Sequence, residues 1–285
     1  MLTFEDKRLE DILSCPICRA KMKVMREPSA TLYCNGARKH SYDFSSAGYV
    51  NLSAPGQSGG GDSKQAVKAR SDFLELGYYK PIRDRLCGVL EKYFTASNET
   101  VVIDAGCGEG YYSTAIAQRG FSVAGFDISK FAAEAASKRV KRGQISNALF
   151  GVASVFELPV SEESADCIVN VFAPCAEKEY TRVLKNGGIL VVVCAGTDHL
   201  LGLKGAIYKD IHRNEERADM PTELKKIATD RLTYDITVDG TDNIKNLFAM
   251  TPYYWKTSPD DVKKLDDLKE LSTTIDINFE VFQKI

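Results

Sequence analysis

The chain has 285 residues, 44% hydrophobic and 27% charged, with a formal net charge of -2. This is the composition of a soluble globular protein with room for one large α/β domain and a small accessory unit, and it excludes nucleic-acid binding through an overall positive field. No apolar run approaches the roughly 20 residues needed to span a bilayer, and the opening MLTFEDKRLEDILS is acidic where a secretory signal needs a basic start, so a cytoplasmic protein with reduced thiols is expected.

The first unit, residues 1–52, holds Cys15-Pro-Ile-Cys18, then Cys34 and His40. A CxxC turn presents two thiolates to one ion, and a distant Cys and His complete a tetrahedral set suited to Zn²⁺. Four protein ligands leave no open position, so the site reads as structural. A redox CxxC would sit at a helix start in a thioredoxin-like unit, which is absent here. Asp43 is a reserve ligand. The apolar residues between 13 and 50 look too few for a core, so metal and fold should form together. Around the ligands lie Arg19, Lys21, Lys23, Arg26, Arg38 and Lys39 against Glu27, either a solvated face or a phosphate-contacting surface.

Residues 53–99 read as a linker and a helical lead-in. Ser53–Asp62 is rich in Gly and Ser around Gly59, a flexible composition. A helix is predicted from about Ser63 to Leu76. Pro81 opens a second, with Ile82, Leu86, Val89, Leu90 and Tyr93 on one face.

Residues 100–285 alternate strand and helix. Strands are predicted at Thr100–Asp104, Ser122–Asp127, Ala148–Val152, Cys167–Val171 and Ile189–Cys194, with an antiparallel edge from Leu232–Val238 and Ile275–Phe282. The fold class expected is α/β with a seven-stranded mixed sheet, plus the small zinc-binding domain. The first strand runs into Asp104-Ala-Gly106-Cys-Gly108-Glu109-Gly110, whose glycines allow a tight turn and close approach of a ligand. GxGxG preceded by Asp104 is the form used for S-adenosylmethionine rather than the GxGxxG of pyrophosphate binders, so the α/β domain is expected to be a class I, Rossmann-like methyltransferase. Asp127, followed by Ile128, ends the next strand, where a carboxylate accepts ribose hydroxyls; the alternative is an Asp capping the next helix. Ala153 and Ser154 close the third strand beside the expected adenine position. Asp166 opens the fourth strand, and Arg182–Gly188 forms the turn before the fifth. Lys138, Arg139, Lys141 and Arg142 read as the outer face of a helix.

These motifs together resemble the bacterial 23S ribosomal RNA (guanine-N1-)-methyltransferases over nearly the whole length. The likeness is carried by the Cys15/Cys18/Cys34/His40 set, Gly48-Tyr-Val-Asn-Leu52, Gly77-Tyr-Tyr79-Lys-Pro81, Asp104 to Ser113, Ala173-Pro-Cys175, His199 to Gly205 and Met250-Thr-Pro-Tyr253. The resemblance implies an RNA-holding zinc domain, methylation of a guanine in a hairpin loop of 23S ribosomal RNA, and a homodimer. It also implies that Tyr79, Tyr112, Ser113 and His199 contact the cofactor. The Cys34–His40 interval and the linker depart from the family's enteric members, which bears on which guanine is chosen.

The base pocket is expected in the loop after the fourth strand, Phe172, Ala173, Pro174 and Cys175, with Phe172 stacking and backbone carbonyls accepting the base's protons. No general base is identifiable. Cys175 has a second reading, as the nucleophile of an RNA cytosine-5 methyltransferase. A small-molecule, quinone-like methyltransferase is the other alternative.

Overall fold

The structure, a computed structural model, describes residues 5–27, 29–54, 56, 60–97, 99–215 and 221–285. Pro55 and Gln57–Gly59, the middle of the expected linker, lie outside them, as does the opening tetrapeptide.

The N-terminal unit comprises α1 (Lys7–Asp11), β1 (Met22–Met25), β2 (Thr31–Cys34), β3 (Ser41–Asp43) and β4 (Val50–Asn51). Then come α2 (Lys64–Glu75) and α3 (Lys80–Tyr93). Ser63 caps α2 by accepting the Ala66 N–H, and Pro81 sits in the first turn of α3, where a missing N–H costs nothing. The alternating region is β5 (Val101–Ala105), α4 (Tyr111–Gln118), β6 (Ser122–Asp127), α5 (Lys130–Arg142), β7 (Ala148–Val152), β8 (Ala165–Val171), α6 (Glu177–Val183) and β9 (Leu184–Ala195). It closes with α7 (Leu201–Ile207), β10 (Lys225–Asp239), α8 (Thr241–Ala249), a 3₁₀ turn at Pro252–Trp255, α9 (Pro259–Lys263), a second 3₁₀ turn and β11 (Glu270–Gln283).

The main sheet runs β10-β11-β9-β8-β5-β6-β7-β4. Strands from β9 to β4 are parallel, and β11 and β10 add antiparallel. Strand order reverses at β5 and β8, so the loops after these two strands diverge and leave a crevice at their carboxyl ends.

The sheet has eight strands rather than the expected seven. The extra one comes from the N-terminal unit: Val50 and Asn51 pair with Gly151 and Val152 of β7. This unit also lacks the isolation expected of a metal-held module. Leu13, Met22, Leu32 and Leu52 are buried in one cluster with Val101, Ile103, Leu158 and Val160 of the large domain. Main-chain bonds from Ser14 to Pro159 and from Ser161 to Ile12 join the two. A short segment buries its few apolar side chains by borrowing the face of a larger sheet. No helix among the described residues is long and apolar enough to cross a membrane.

Candidate active site and metal centre

The glycine loop follows β5. Gly106, Gly108 and Gly110 all have positive φ, at 87°, 53° and 77°. Two of them are required by contact as well as conformation. A Cβ on Gly106 would stand 2.5 Å from the Ala173 Cβ, and one on Gly110 would stand 2.8 Å from the Ala136 Cβ. The loop therefore touches both the segment after β8 and helix α5, which no side chain larger than hydrogen permits.

A cavity of about 960 Å³ opens above this loop. Of the predicted residues, Tyr79, Gly106, Gly108, Glu109, Tyr112, Asp127, Ile128, Ser154, Phe172, Ala173, Pro174 and His199 line it. Asp104, Gly110, Ser113 and Ala153 stand behind the lining. Ser113 donates its hydroxyl to the buried Asp104 carboxylate, so it holds that group rather than facing the cavity. Ala153 donates its N–H to the Asp127 carbonyl. Gly110 starts α4.

Asp127 does not cap α5; Ser129 does. The Asp127 carboxylate instead accepts the Gly108 N–H at 3.0 Å and the Ser129 N–H at 2.8 Å, tying the ends of β5 and β6 together. Burial raises the pKa values of Asp104, Glu109 and Asp127, that of Asp104 to about 7. The bonds from Gly108 and Ser129 oppose the shift at Asp127, and Arg70 opposes it at Glu109. Asp104 Oδ1, Glu109 Oε2 and the Tyr112 hydroxyl are buried with no hydrogen-bond partner among the described residues. Three carboxylates that line the cavity, Asp62, Glu109 and Asp127, face one arginine, Arg70, and make a floor that suits a cationic ligand and repels a pyrophosphate. These residues fit S-adenosylmethionine.

His199 lies beside Tyr79 and Phe172. Its Nδ1 accepts the Asp276 N–H at 3.3 Å, so the neutral ring carries its proton on Nε2, 3.5 Å from the Tyr79 hydroxyl. Burial holds its pKa down to about 4. The Phe172 ring stacks on it at 6.2 Å, and Phe172 itself has φ 53°, a left-handed conformation costly for an aromatic residue.

In the same loop, the Pro174 carbonyl accepts the Asn170 amide at 2.9 Å and the Tyr180 hydroxyl at 3.2 Å. Both its lone pairs are used, so this carbonyl is not available to a base, contrary to the expectation. Cys175 also departs from expectation. It packs, half-buried, against the cluster around the N-terminal unit and is absent from the cavity lining.

Three parts of the lining escaped sequence reasoning. Gly61 and Asp62, from the end of the expected linker, fold over Ile128 and Ser129, with Ser129 donating to the Asp62 carbonyl at 2.7 Å. Arg70 of α2 pairs with Asp62 and stands 3.8 Å from Glu109. Asn214 joins Gly196, His199, Lys204 and Tyr253 through its amide. The Met250–Tyr253 segment, which also lines the cavity, had a signal through the family motif. Arg139 turns inward from the basic face of α5 to hold the Glu109 carbonyl at 3.1 Å, with Glu75 on its far side.

At the opposite end, the ligand atoms of Cys15, Cys18, Cys34 and His40 all lie within 4.8 Å of one another and could hold a metal ion. Cys18 Sγ is 3.7 Å from Cys34 Sγ, and His40 Nδ1 is 3.4 Å from the sulfurs of Cys15 and Cys34. Asp43 is engaged elsewhere, accepting the Thr31 hydroxyl at 2.7 Å. Of the nearby basic residues, Arg19 is bound to Glu157 and to the Leu158 carbonyl, and Arg26 stands 3.7 Å from Glu10. Lys21, Lys23, Arg38 and Lys39 are exposed.

The chain is similar to three curated proteins over most of its length. A Bacillus subtilis (strain 168) protein named "Putative 23S rRNA (guanine-N(1)-)-methyltransferase YxjB" is 29% identical, covering 95% of this chain and 96% of its own. The "23S rRNA (guanine(748)-N(1))-methyltransferase" of Streptomyces fradiae is 28% identical, covering 96% of this chain and 98% of its own. A Micromonospora griseorubida relative, also named as a 23S rRNA (guanine-N(1)-)-methyltransferase of putative standing, is 28% identical over 87% of this chain and 88% of its own. A family model described as a methyltransferase domain matches residues 96–249, just over half of the chain. With that match over β5 to α8, around a glycine loop and an acidic cavity floor, the chain belongs to the methyltransferase domain family.

Proposed function

We propose that this protein transfers a methyl group from S-adenosylmethionine to N1 of a guanine in a hairpin loop of 23S ribosomal RNA. The observation that carries the reading is the extent of the similarity: the relatives named for that reaction cover about the whole chain, cysteine unit included. A quinone-like methyltransferase would need only the catalytic domain. Cys175, outside the cavity lining, is poorly placed as the nucleophile of a cytosine-5 enzyme.

Asp127 would hold the ribose hydroxyls, Ile128 and Ser154 the adenine end, and Tyr79, Tyr112 and His199 the amino-acid end over Glu109. When bound, S-adenosylmethionine supplies an already activated methyl group on a sulfonium. The chain's own work is alignment and exclusion of water. Phe172, held by the His199 ring and the pinned Pro174 loop, offers a face for the target base. His199, its proton fixed on Nε2, is a donor and not a base.

Zinc suits the N-terminal cluster. Four ligands around a tetrahedral Zn²⁺ put neighbouring sulfurs about 3.8 Å apart and sulfur and nitrogen about 3.5 Å apart, from bond lengths of about 2.3 and 2.0 Å. The observed 3.7 and 3.4 Å agree with these separations. We read the exposed lysines and arginine beside this unit as RNA contacts, the enzyme as cytoplasmic and its assembly as a homodimer. Incubation with labelled S-adenosylmethionine and 23S ribosomal RNA lacking the modification, followed by mass mapping, should locate N1-methylguanine at one loop position. Label in a small metabolite, or at a cytosine, would overturn the reading.

A further inference from the structure

Five aromatic side chains are exposed among the described residues: Tyr93, Phe156, Phe172, Tyr254 and Trp255. Four of them gather at one place. Phe156 and Phe172 line the large cavity, and Tyr254 and Trp255 belong to the Pro252–Trp255 turn, whose Pro252 and Tyr253 line it too. Trp255 is the chain's single tryptophan and is 74% exposed. A tryptophan is usually among the more buried side chains, because so much apolar area is costly to leave in water.

The turn that carries it is rigid. Tyr254 N–H bonds to the Thr251 carbonyl, and the N–H groups of Lys256 and Thr257 bond to the Tyr253 carbonyl at 2.9 and 3.0 Å. The Tyr254 ring packs on Phe248 at 5.7 Å and meets Trp255 edge-on at 5.1 Å and 88°. Tyr253 anchors the turn through its hydroxyl on Asn214 and its ring over the Lys204 ammonium. Lys256, also exposed, is the next residue in the chain. A flat, preorganised aromatic face at a cavity rim, flanked by a lysine, has the chemistry that takes an unpaired nucleobase and its phosphate.

We propose that Trp255, steadied by Tyr254, is a stacking platform for an unpaired base next to the target guanine in the RNA loop. This rests on the RNA reading given above. The target base enters the cavity near Phe172, and its neighbour stays outside on the indole. The platform would thus help extrude the target by giving the flanking base a replacement for its lost stacking partner.

The single tryptophan makes the test direct. Excitation at 295 nm isolates Trp255 from the tyrosines while a ribosomal RNA hairpin that the parent methylates is titrated in. Stacking should quench the emission by about half, and Trp255→Ala should weaken binding of that hairpin about tenfold, equivalent to about 1.4 kcal/mol. Trp255→Phe should restore binding to within about threefold, because any aromatic face stacks. Calorimetric affinity for S-adenosylmethionine should be the same in all three proteins. If the parent methylates the hairpin while emission is unchanged, or Trp255→Ala binds it within about twofold of the parent, the platform is overturned. A change of sedimentation in Trp255→Ala with RNA binding intact would overturn it in favour of a contact with a second copy of the chain. If the parent neither binds nor methylates ribosomal RNA, the RNA reading itself fails, and that is visible before any substitution is made.

Discussion

Replacing Gly106 by alanine perturbs the point where the cofactor loop meets the loop after β8. Two costs are separable there. The backbone stands at φ 87°, where an L side chain costs about 1–2 kcal/mol. The new Cβ would also stand 2.5 Å from the Ala173 Cβ, an overlap that forces one loop to move at about 1–3 kcal/mol. Gly106→Ala should therefore destabilise the fold by about 2–5 kcal/mol, read from urea midpoints at constant m. Ala173→Gly removes the atom that is struck and leaves the φ cost in place. The double variant should recover the overlap alone, a coupling of about 1–3 kcal/mol in the four-protein cycle. Calorimetry with S-adenosylmethionine should follow the same order, since the loop that is displaced is the cavity floor. Additivity of the two substitutions within about 0.5 kcal/mol would refute the reasoning, because the loops would then not be in contact.

Three other predictions concern the metal, the RNA and pH. Freshly purified protein should contain one zinc per chain, and a chelator should expose Cys15 and Cys34 to alkylation while the buried Cys87 and Cys167 stay protected; protein free of zinc by elemental analysis contradicts the assignment. Changing Lys21, Lys23, Arg38 and Lys39 together to Gln should weaken RNA binding and flatten its salt dependence by about 0.7 per lost phosphate contact, with S-adenosylmethionine affinity unchanged. An unaltered salt slope would make this a solvated face. For His199, the folded pKa of about 4 lies below the unfolded value near 6.5, so the unfolded chain binds the extra proton between them and stability falls as pH drops through that window. Asp104, with its folded pKa raised to about 7, acts in the opposite sense, gaining stability as pH falls from about 7 toward 4. The difference between the parent and His199→Gln isolates the imidazole. Urea midpoints that stay parallel from pH 7.5 to 5 would show that His199 titrates normally.

Local pattern carried much of the architecture. β-branched runs bounded by turns marked β5 to β9. Ser63 and Pro81 marked the starts of α2 and α3. The glycine spacing with Asp104 and Asp127 marked a cofactor loop, because a tight turn at a strand end needs glycine in any tertiary context. Cys15, Cys18, Cys34 and His40 were legible because ligand geometry restricts both residue type and spacing. Those signals are short-range, so a sequence displays them.

What depends on distant segments meeting had no such signal. Val50 and Asn51 become an eighth strand only because β7 leaves an edge open to them. Arg70 and Asp62 join the cavity only because α2 packs against α5 and α8, and Arg19 is drawn from the basic patch by Glu157. Pro174 loses its carbonyl to Asn170 and Tyr180, and Cys175 turns toward the core. His199 receives its tautomer from a backbone N–H on β11, 77 residues further along the chain. The sequence by itself determined which chemical groups were present and which turns they occupied. The tertiary structure decided which of them face the cavity and which are spent holding it, because hydrogen-bond capacity is allotted by neighbours that only folding brings together.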